Sequence, residues 1–280
     1  QAEDGIRDAQ ESRGLGDVYK RQDYNSSIMQ AKYLKEKYKL NDWGYLTILY
    51  RMAKKLYPSK INERYLFCWF MLHKSGYYAK VGYSGDKVGL LIPSKQKLYG
   101  KSYYYADNNT RFFSVTVEPE DYSLKNEIVI YKDDISSERR LFDFGFNTTP
   151  ALPQIIGSRN VKLILSGVEY NIELKYNKNL INFYKDYPAC DLLMYFNSEP
   201  SQIAQTSLKE SLSSFVKGKT NYQAVSFLLY FVQYATDYKI DEEQFGREKT
   251  LFVEESLFCL LYTSDAADDL LCVDLGGRRI

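Results

Sequence analysis

Apolar side chains recur every three or four positions at Leu46, Leu49, Tyr50, Ala53 and Leu56, the spacing of one face of an α-helix. Asn41 and Asp42 precede this run as N-cap residues, and Pro58 stops it. A second helix is predicted from Asn62 and Glu63 through Leu66, Phe67, Trp69, Phe70 and Leu72. It ends at Ser75-Gly76, where glycine can take the left-handed cap conformation. The pattern then turns extended: 78–83 and 87–92 bracket Ser84-Gly85-Asp86, and 102–106 and 111–117 bracket residues 107–110, each pair a hairpin signal.

Further on, branched and aromatic residues concentrate at 128–131, 141–146, 161–165 and 169–176, with polar turns between and Gly167 marking a tight hairpin. This predicts a small β-sandwich-like module over 119–197, to which 190–196 adds a strand. Glu199-Pro200 then opens a helix with Leu208, Leu212 and Phe215 on one stripe, and Gly218 follows its end. The stretch 222–238 is apolar on nearly every face, which predicts a helix at the centre of a domain. The expected fold class is α+β: a helix pair with an antiparallel sheet over 23–118, the β-rich module, and a helical segment over 198–258.

The two ends read differently. Back-translating Asp17-Val18-Tyr19-Lys20-Arg21-Gln22 as GAT GTG TAT AAG AGA CAG and taking the reverse complement gives CTG TCT CTT ATA CAC ATC. Shifted by one base, this encodes Cys259-Leu260-Leu261-Tyr262-Thr263 and the start of Ser264. One short DNA element therefore flanks the segment in inverted orientation, as a transposase mosaic end does in a tagged library. Residues 1–22 and 259–280 are expected to be translated sequencing adapter, with 23–258 the biological fragment, open at both ends. Neither flank is expected to find a packed place, since neither belongs to the biological segment.

Setting the flanks aside removes six of the 37 Lys/Arg and nine of the 36 Asp/Glu, leaving a scattered basic surplus. Nucleic-acid binding would need clustered basic residues, so no nucleic-acid partner is expected. The most apolar run, 224–235, falls short of the roughly 20 residues of a membrane span. Two cysteines remain, Cys68 and Cys190, with a single histidine, His73. That inventory makes neither a CxxC-type zinc site nor a disulfide framework, and no cofactor or metal is expected. Cys68 and His73 invite a thiol–imidazole pair, but five positions on a helix point them roughly 140° apart. The expected place for Cys68 is a core among Phe67, Trp69 and Phe70, and for His73 the last helical turn. Asp241-Glu242-Glu243 reads as a solvated turn before it reads as a metal cluster, and the tyrosines as sheet filling before carbohydrate platforms.

One stretch carries a resemblance. A buried helix is followed by Tyr238, Asp241, Phe245 and Gly246, then Glu255 and Leu257, with Val253 where proline is usual. This resembles the lead-in to the catalytic helix of bacterial transglutaminase-like cysteine peptidases, in which an Asp-Cys pair comes shortly afterwards. Residues 176–180 and 183–188 are similar to a subfamily that joins an accessory β module to this core. The resemblance implies the truncated start of a transglutaminase-like, papain-like core in 198–258. It also implies a cysteine acyl-transferase or peptidase parent acting on a protein or peptide, in the cell envelope or secreted. In such enzymes a thiolate attacks a carbonyl, with a histidine and an acid behind it. The catalytic set itself is not found in 23–258. Tyr238, Asp241, Gln244, Gly246 and Glu255 become near-site candidates. The helix pair and hairpins of 23–118 follow the order of the same core, with Asn62 about where its nucleophile would stand. The other function class left open is a non-catalytic envelope or surface protein that uses the fold for binding.

Overall fold

The computed structural model describes residues 24–106, 109–117, 124, 128–131, 140–235, 245–246 and 249–258. The chain divides into two compact units, Gln1–Lys95 with Lys101–Asp143, and Gln96–Gly100 with Phe144–Ile280. Both are mixed helix and sheet with antiparallel pairing, so the fold is α+β. The stretch 119–197 is divided between them. Both expected adapter flanks lie outside the described residues, as do Tyr238, Asp241 and Gln244.

In the first unit three helices precede the sheet: α1 (Tyr24–Lys37), α2 (Asp42–Leu56) and α3 (Ile61–Lys74). Helix α1 has no counterpart in the expected pattern because it buries only Ile28 and Ala31, too few positions to show a period. Helix α2 starts where Asn41 accepts a hydrogen bond from the Gly44 N–H at 3.1 Å, and it buries Leu46, Leu49, Tyr50 and Ala53. Helix α3 ends in a Schellman motif: Gly76, at φ +88°, donates to the His73 carbonyl and Tyr77 donates to that of Leu72. Strands β1 (Lys80–Ser84), β2 (Lys87–Ile92), β3 (Tyr103–Ala106), β4 (Thr110–Val115) and β5 (Val129–Ile130) form one antiparallel sheet in the order β3-β4-β2-β1-β5.

No strand forms over 141–146, contrary to the expected pattern. Phe142 makes one bridge, its N–H donating to the Pro93 carbonyl and its carbonyl accepting from Lys95. The next N–H, of Asp143, goes to a side chain, the Asp42 carboxylate, so the ladder cannot lengthen.

That carboxylate ties the first unit together. Asp42 is buried, and its Oδ1 meets Lys35 Nζ from α1, the Tyr77 hydroxyl at 2.6 Å and Arg140 at 3.2 Å, while Oδ2 accepts from the Asp143 N–H at 2.9 Å. Arg140 also lies 4.1 Å from the Tyr77 ring centroid, and Tyr77 stacks on Tyr45. Three separate chain segments thus converge on the first turn of α2, where a negative charge also suits the helix dipole.

The second unit is built on a hairpin, β6 (Ile156–Leu165) and β7 (Val168–Asn177). Ser166 and Gly167 both have positive φ, 51° and 81°, as a type I′ turn requires. In place of a second sheet there are helices, α4 (Lys178–Lys185), α5 (Leu192–Phe196), α6 (Gln202–Val216), α7 (Asn221–Ala235) and α8 (Val253–Phe258), of which α6 and α7 cover one face of the hairpin. Val161, Leu163, Ile172 and Leu174 of the hairpin pack with Ala204, Leu212, Phe227 and Phe231 of α6 and α7. The expected β-sandwich-like module is therefore, among the described residues, a two-stranded sheet against helices. The predicted strand at 190–196 is instead a single bridge at Cys190 followed by α5. Helix α7 is not central either. Its Phe227 and Phe231 are buried, but Tyr222, Val225, Leu228 and Leu229 face outward.

Replacing Asp42 with alanine leaves Lys35, Arg140 and the Tyr77 hydroxyl without their common acceptor. We expect Asp42→Ala to lower unfolding stability by about 1–3 kcal/mol, the penalty for buried donors left unsatisfied, with little from the exposed Arg140 charge. Urea denaturation followed by tyrosine fluorescence checks it, and a loss below about 1 kcal/mol would contradict the clamp.

Candidate functional site

The described residues of the resembled lead-in lie at and just before α8. Gly246 sits at φ +67°, a left-handed conformation in which a side chain would be strained. Phe252 is the N-cap of α8. Its N–H donates to Glu255 Oε2 at 3.1 Å, the reciprocal half of a capping box in which the third helical residue reaches back to the cap. Glu255 is buried, and its other oxygen accepts from Lys249 Nζ at 2.6 Å, the ammonium being buried too. Phe252 is buried within a cage of rings, stacked on Tyr184 at 4.0 Å and set edge-on or tilted to Tyr187, Tyr195 and Phe146.

Glu254, the preceding residue, is 1% exposed and is held by neutral donors. Its Oε1 accepts from the Asn177 N–H and the Ser201 hydroxyl, both at 2.9 Å, and its Oε2 from the Ser201 N–H. Asn177 is the N-cap of α4 and Ser201 the N-cap of α6. One carboxylate thus sits at the positive ends of two helices, which with three donors stands in for a counter-ion. The sequence reading singled out Glu255 and passed over Glu254. The only local signal was an acidic pair in the first turn of a helix.

Asn62 lies in the first turn of α3, half-buried. Its amide donates to the Asp86 carbonyl at 2.7 Å and accepts from the Val88 N–H at 3.0 Å, closing the β1–β2 turn.

The thiols are placed away from polar chemistry. Cys68 is fully buried in α3, and burial holds its thiol far above the usual cysteine range. Cys190 is pushed up to about 12, by burial first and by the neighbouring Asp191 charge second, and its Sγ donates to the Pro188 carbonyl at 3.2 Å. Thiolate, not thiol, is the nucleophile, so neither is an activated sulfur. His73 occupies the last turn of α3 with its ring 5.9 Å from that of Trp69. Among the described residues no group of three or more His, Cys, Asp or Glu side chains is placed to hold a metal ion. No described helix is long and apolar enough to cross a membrane.

A groove of about 660 Å3 runs along the outer edge of β7 beside α6, past Asn171, Glu173, Lys175, Thr206, Glu210 and Phe215. Part of that edge is closed by α6 itself. The Lys175 N–H donates to Ser207 Oγ at 2.8 Å, and Ser211 Oγ donates to the Glu173 carbonyl at 3.1 Å. Comparison with protein-family models, curated proteins and solved structures finds no match to the chain.

Two predictions follow from this geometry. Glutamine at 254 keeps the shape but offers one acceptor, so its amide NH2 must face a backbone donor, either Ser201 or Asn177. Glu254→Gln is expected to cost about 1–3 kcal/mol, the penalty for a buried unsatisfied donor, and equal urea midpoints for the two proteins would refute this. The second concerns alkali. Burial raises the phenols of Tyr45, Tyr77 and Tyr184 above their ordinary value of 10.0, reinforced by Asp42 at Tyr77 and by Glu254 and Glu255 at Tyr184. A raised folded-state value means stability is fully present below about pH 10 and is lost as pH rises beyond it, because the unfolded chain releases protons that the folded chain retains. Tyrosinate absorbance should therefore rise in two phases, exposed rings first and the buried set only with unfolding. A single phase completed while the circular dichroism is still native would contradict it.

Proposed function

We propose that this chain is the front part of a transglutaminase-like cysteine acyl-transferase or peptidase, and that it orders the start of the core without carrying its catalytic set. The observation that carries this reading is the fixing of α8. Glu255, a residue of the resemblance, is buried, caps the helix that bears it and is neutralised by Lys249. Glu254 beside it anchors the same helix to α4 and α6. A catalytic thiol at the start of a following helix would need such an anchored approach, since rigid supporting elements hold reacting groups in register. Tyr238, Asp241, Gln244 and Gly246 belong to the same lead-in by resemblance, and Asn62 to a degenerate copy of the core in the first unit. The substrate class that goes with this reading is a protein or peptide glutamine or amide, and the compartment is the envelope or the exterior.

A second reading, a non-catalytic surface or envelope binding protein, is favoured by the burial of both described cysteines, Cys68 and Cys190. The two separate in a direct assay. The chain alone is expected to show no iodoacetamide-sensitive incorporation of an amine into a glutamine substrate. The chain extended by the codons that follow Phe258 in its source genome is expected to encode an Asp-Cys pair and to gain that activity. Activity of the chain alone that disappears in Cys68→Ala would overturn the first reading, and an extension without Asp-Cys would leave the second.

A further inference from the structure

The free edge of β7 is sealed over half its length and open over the rest. In the antiparallel ladder with β6, the backbone N–H and C=O groups of alternate residues turn away from the partner strand, and in β7 these belong to Glu169, Asn171, Glu173, Lys175 and Asn177. Side chains meet them from the middle onwards: Ser211 donates to the Glu173 carbonyl, Ser207 accepts from the Lys175 N–H, and Glu254 accepts from the Asn177 N–H. The N–H groups of Glu169, Asn171 and Glu173 and the carbonyls of Glu169 and Asn171 have no such partner among the described residues. These three residues are exposed, and the groove of about 660 Å3 runs beside them.

We propose that this open stretch takes an extended peptide as a third, antiparallel strand of the β6–β7 sheet, with a basic residue opposite Glu173. The inference does not rest on the acyl-transfer reading, since it needs no thiol. A row of unpaired strand groups is a template for another strand. Glu169 to Glu173 spans about 13 Å at the rise of a strand, so five peptide residues cover it. The residue opposite Asn171 exchanges both backbone hydrogen bonds with it, and those opposite Glu169 and Glu173 continue the ladder on either side. Charge selects the occupant. Glu173 and Glu210 line the groove with no basic partner among the described residues, whereas Glu169 is paired with Lys162 at 3.2 Å. Lys175, the cation in the lining, lies past the point where Ser207 and Ser211 seal the edge. A second copy of β7 is disfavoured on the same ground. The two-fold register that uses all three open residues sets Glu169 opposite Glu173 of the copy at both ends, and like charges directly opposite are destabilising. Strand alternation fixes the rest of the peptide. Residues opposite Tyr170 and Ile172 turn towards the inner face, where Tyr170 meets Phe215 and Ile172 is buried, and are therefore apolar.

The matching probe is acetyl-Lys-Val-Thr-Val-Thr with a C-terminal fluorescein, titrated with the full chain and followed by fluorescence anisotropy. Saturable binding is expected. Methylating the backbone nitrogen of the central Thr, which removes its N–H and nothing else polar, should weaken binding at least tenfold. Asn171→Pro should do the same, and because the lost N–H points away from β6 the hairpin ladder is kept. Should that variant misfold, the methylated probe still decides the matter on the unaltered protein. Glu173→Lys should reverse the preference between this probe and one beginning with Glu. Absence of saturable binding at millimolar concentration overturns the proposal. So does equal affinity for the methylated probe, which would mean adhesion by charge alone, or a preference for the Lys probe that survives Glu173→Lys.

Discussion

A carboxylate removed from water must gather donors, and the donors it gathers decide which chain segments come together. Each unit contains such a group in the first turn of a helix. In the first, Asp42 draws Lys35 from α1, Tyr77 from beyond α3, and Arg140 and Asp143 from almost a hundred residues away. Without these partners the charge could not remain buried, because its desolvation far exceeds the net stability of a domain of this size. In the second, Glu254 achieves the same closure with no cation, using the first N–H groups of two helices. The contrast is physical. The last turn of α1 and the segment at Arg140 supply long basic side chains, whereas two converging helix ends supply dipoles and unpaired N–H groups that must be satisfied in any case.

This economy bears on chemistry. A site that performs acyl transfer needs a sulfur whose ionised form is favoured, which means a helix N-terminus or a neighbouring cation. In the second unit the N-termini of α4, α6 and α8 are already occupied by Glu254 and Glu255. Both described thiols are instead buried, which favours the protonated form, and Cys190 also donates to the Pro188 carbonyl. The positive ends of α4 and α6 thus serve to hold α8 in place, which is a positioning role.

How far the sequence foretold this depended on whether a feature was periodic or single. Helices α2 and α3 and the two hairpins of the first sheet were legible within a few residues, because caps and turns such as Asn41, Ser75-Gly76 and Ser84-Gly85-Asp86 punctuate a clear change of period. Within α3 the apolar residues were legible but their depth was not: Tyr65, Cys68 and Met71 are buried, while Trp69 and Phe70 are half-exposed. Helix α4 escaped notice because eight residues span barely two turns. The run 141–146 looked like a strand by composition, yet its N–H groups are claimed by the side chains of Asp42 and Gln96, a long-range event that no local pattern encodes. The sites followed the same rule. Asp42 was visible only as a capping residue and Glu254 not at all, since what distinguishes either is the company brought to it by distant parts of the chain.

Helix α7 marks the remaining limit of local reading. An all-round apolar helix is expected at the centre of a domain because that is where every face finds a partner. The hairpin has only one inner face to give, and α6 takes part of it. The outer edges of the two strands are treated differently: Ser207 and Ser211 close part of β7, and the Tyr230 hydroxyl donates to the Ile164 carbonyl on β6 at 2.6 Å. Backbone polarity at these points is therefore satisfied while apolar area on α7 is left open. A surface of that kind gains free energy by excluding water over matched shapes rather than by pairing charges.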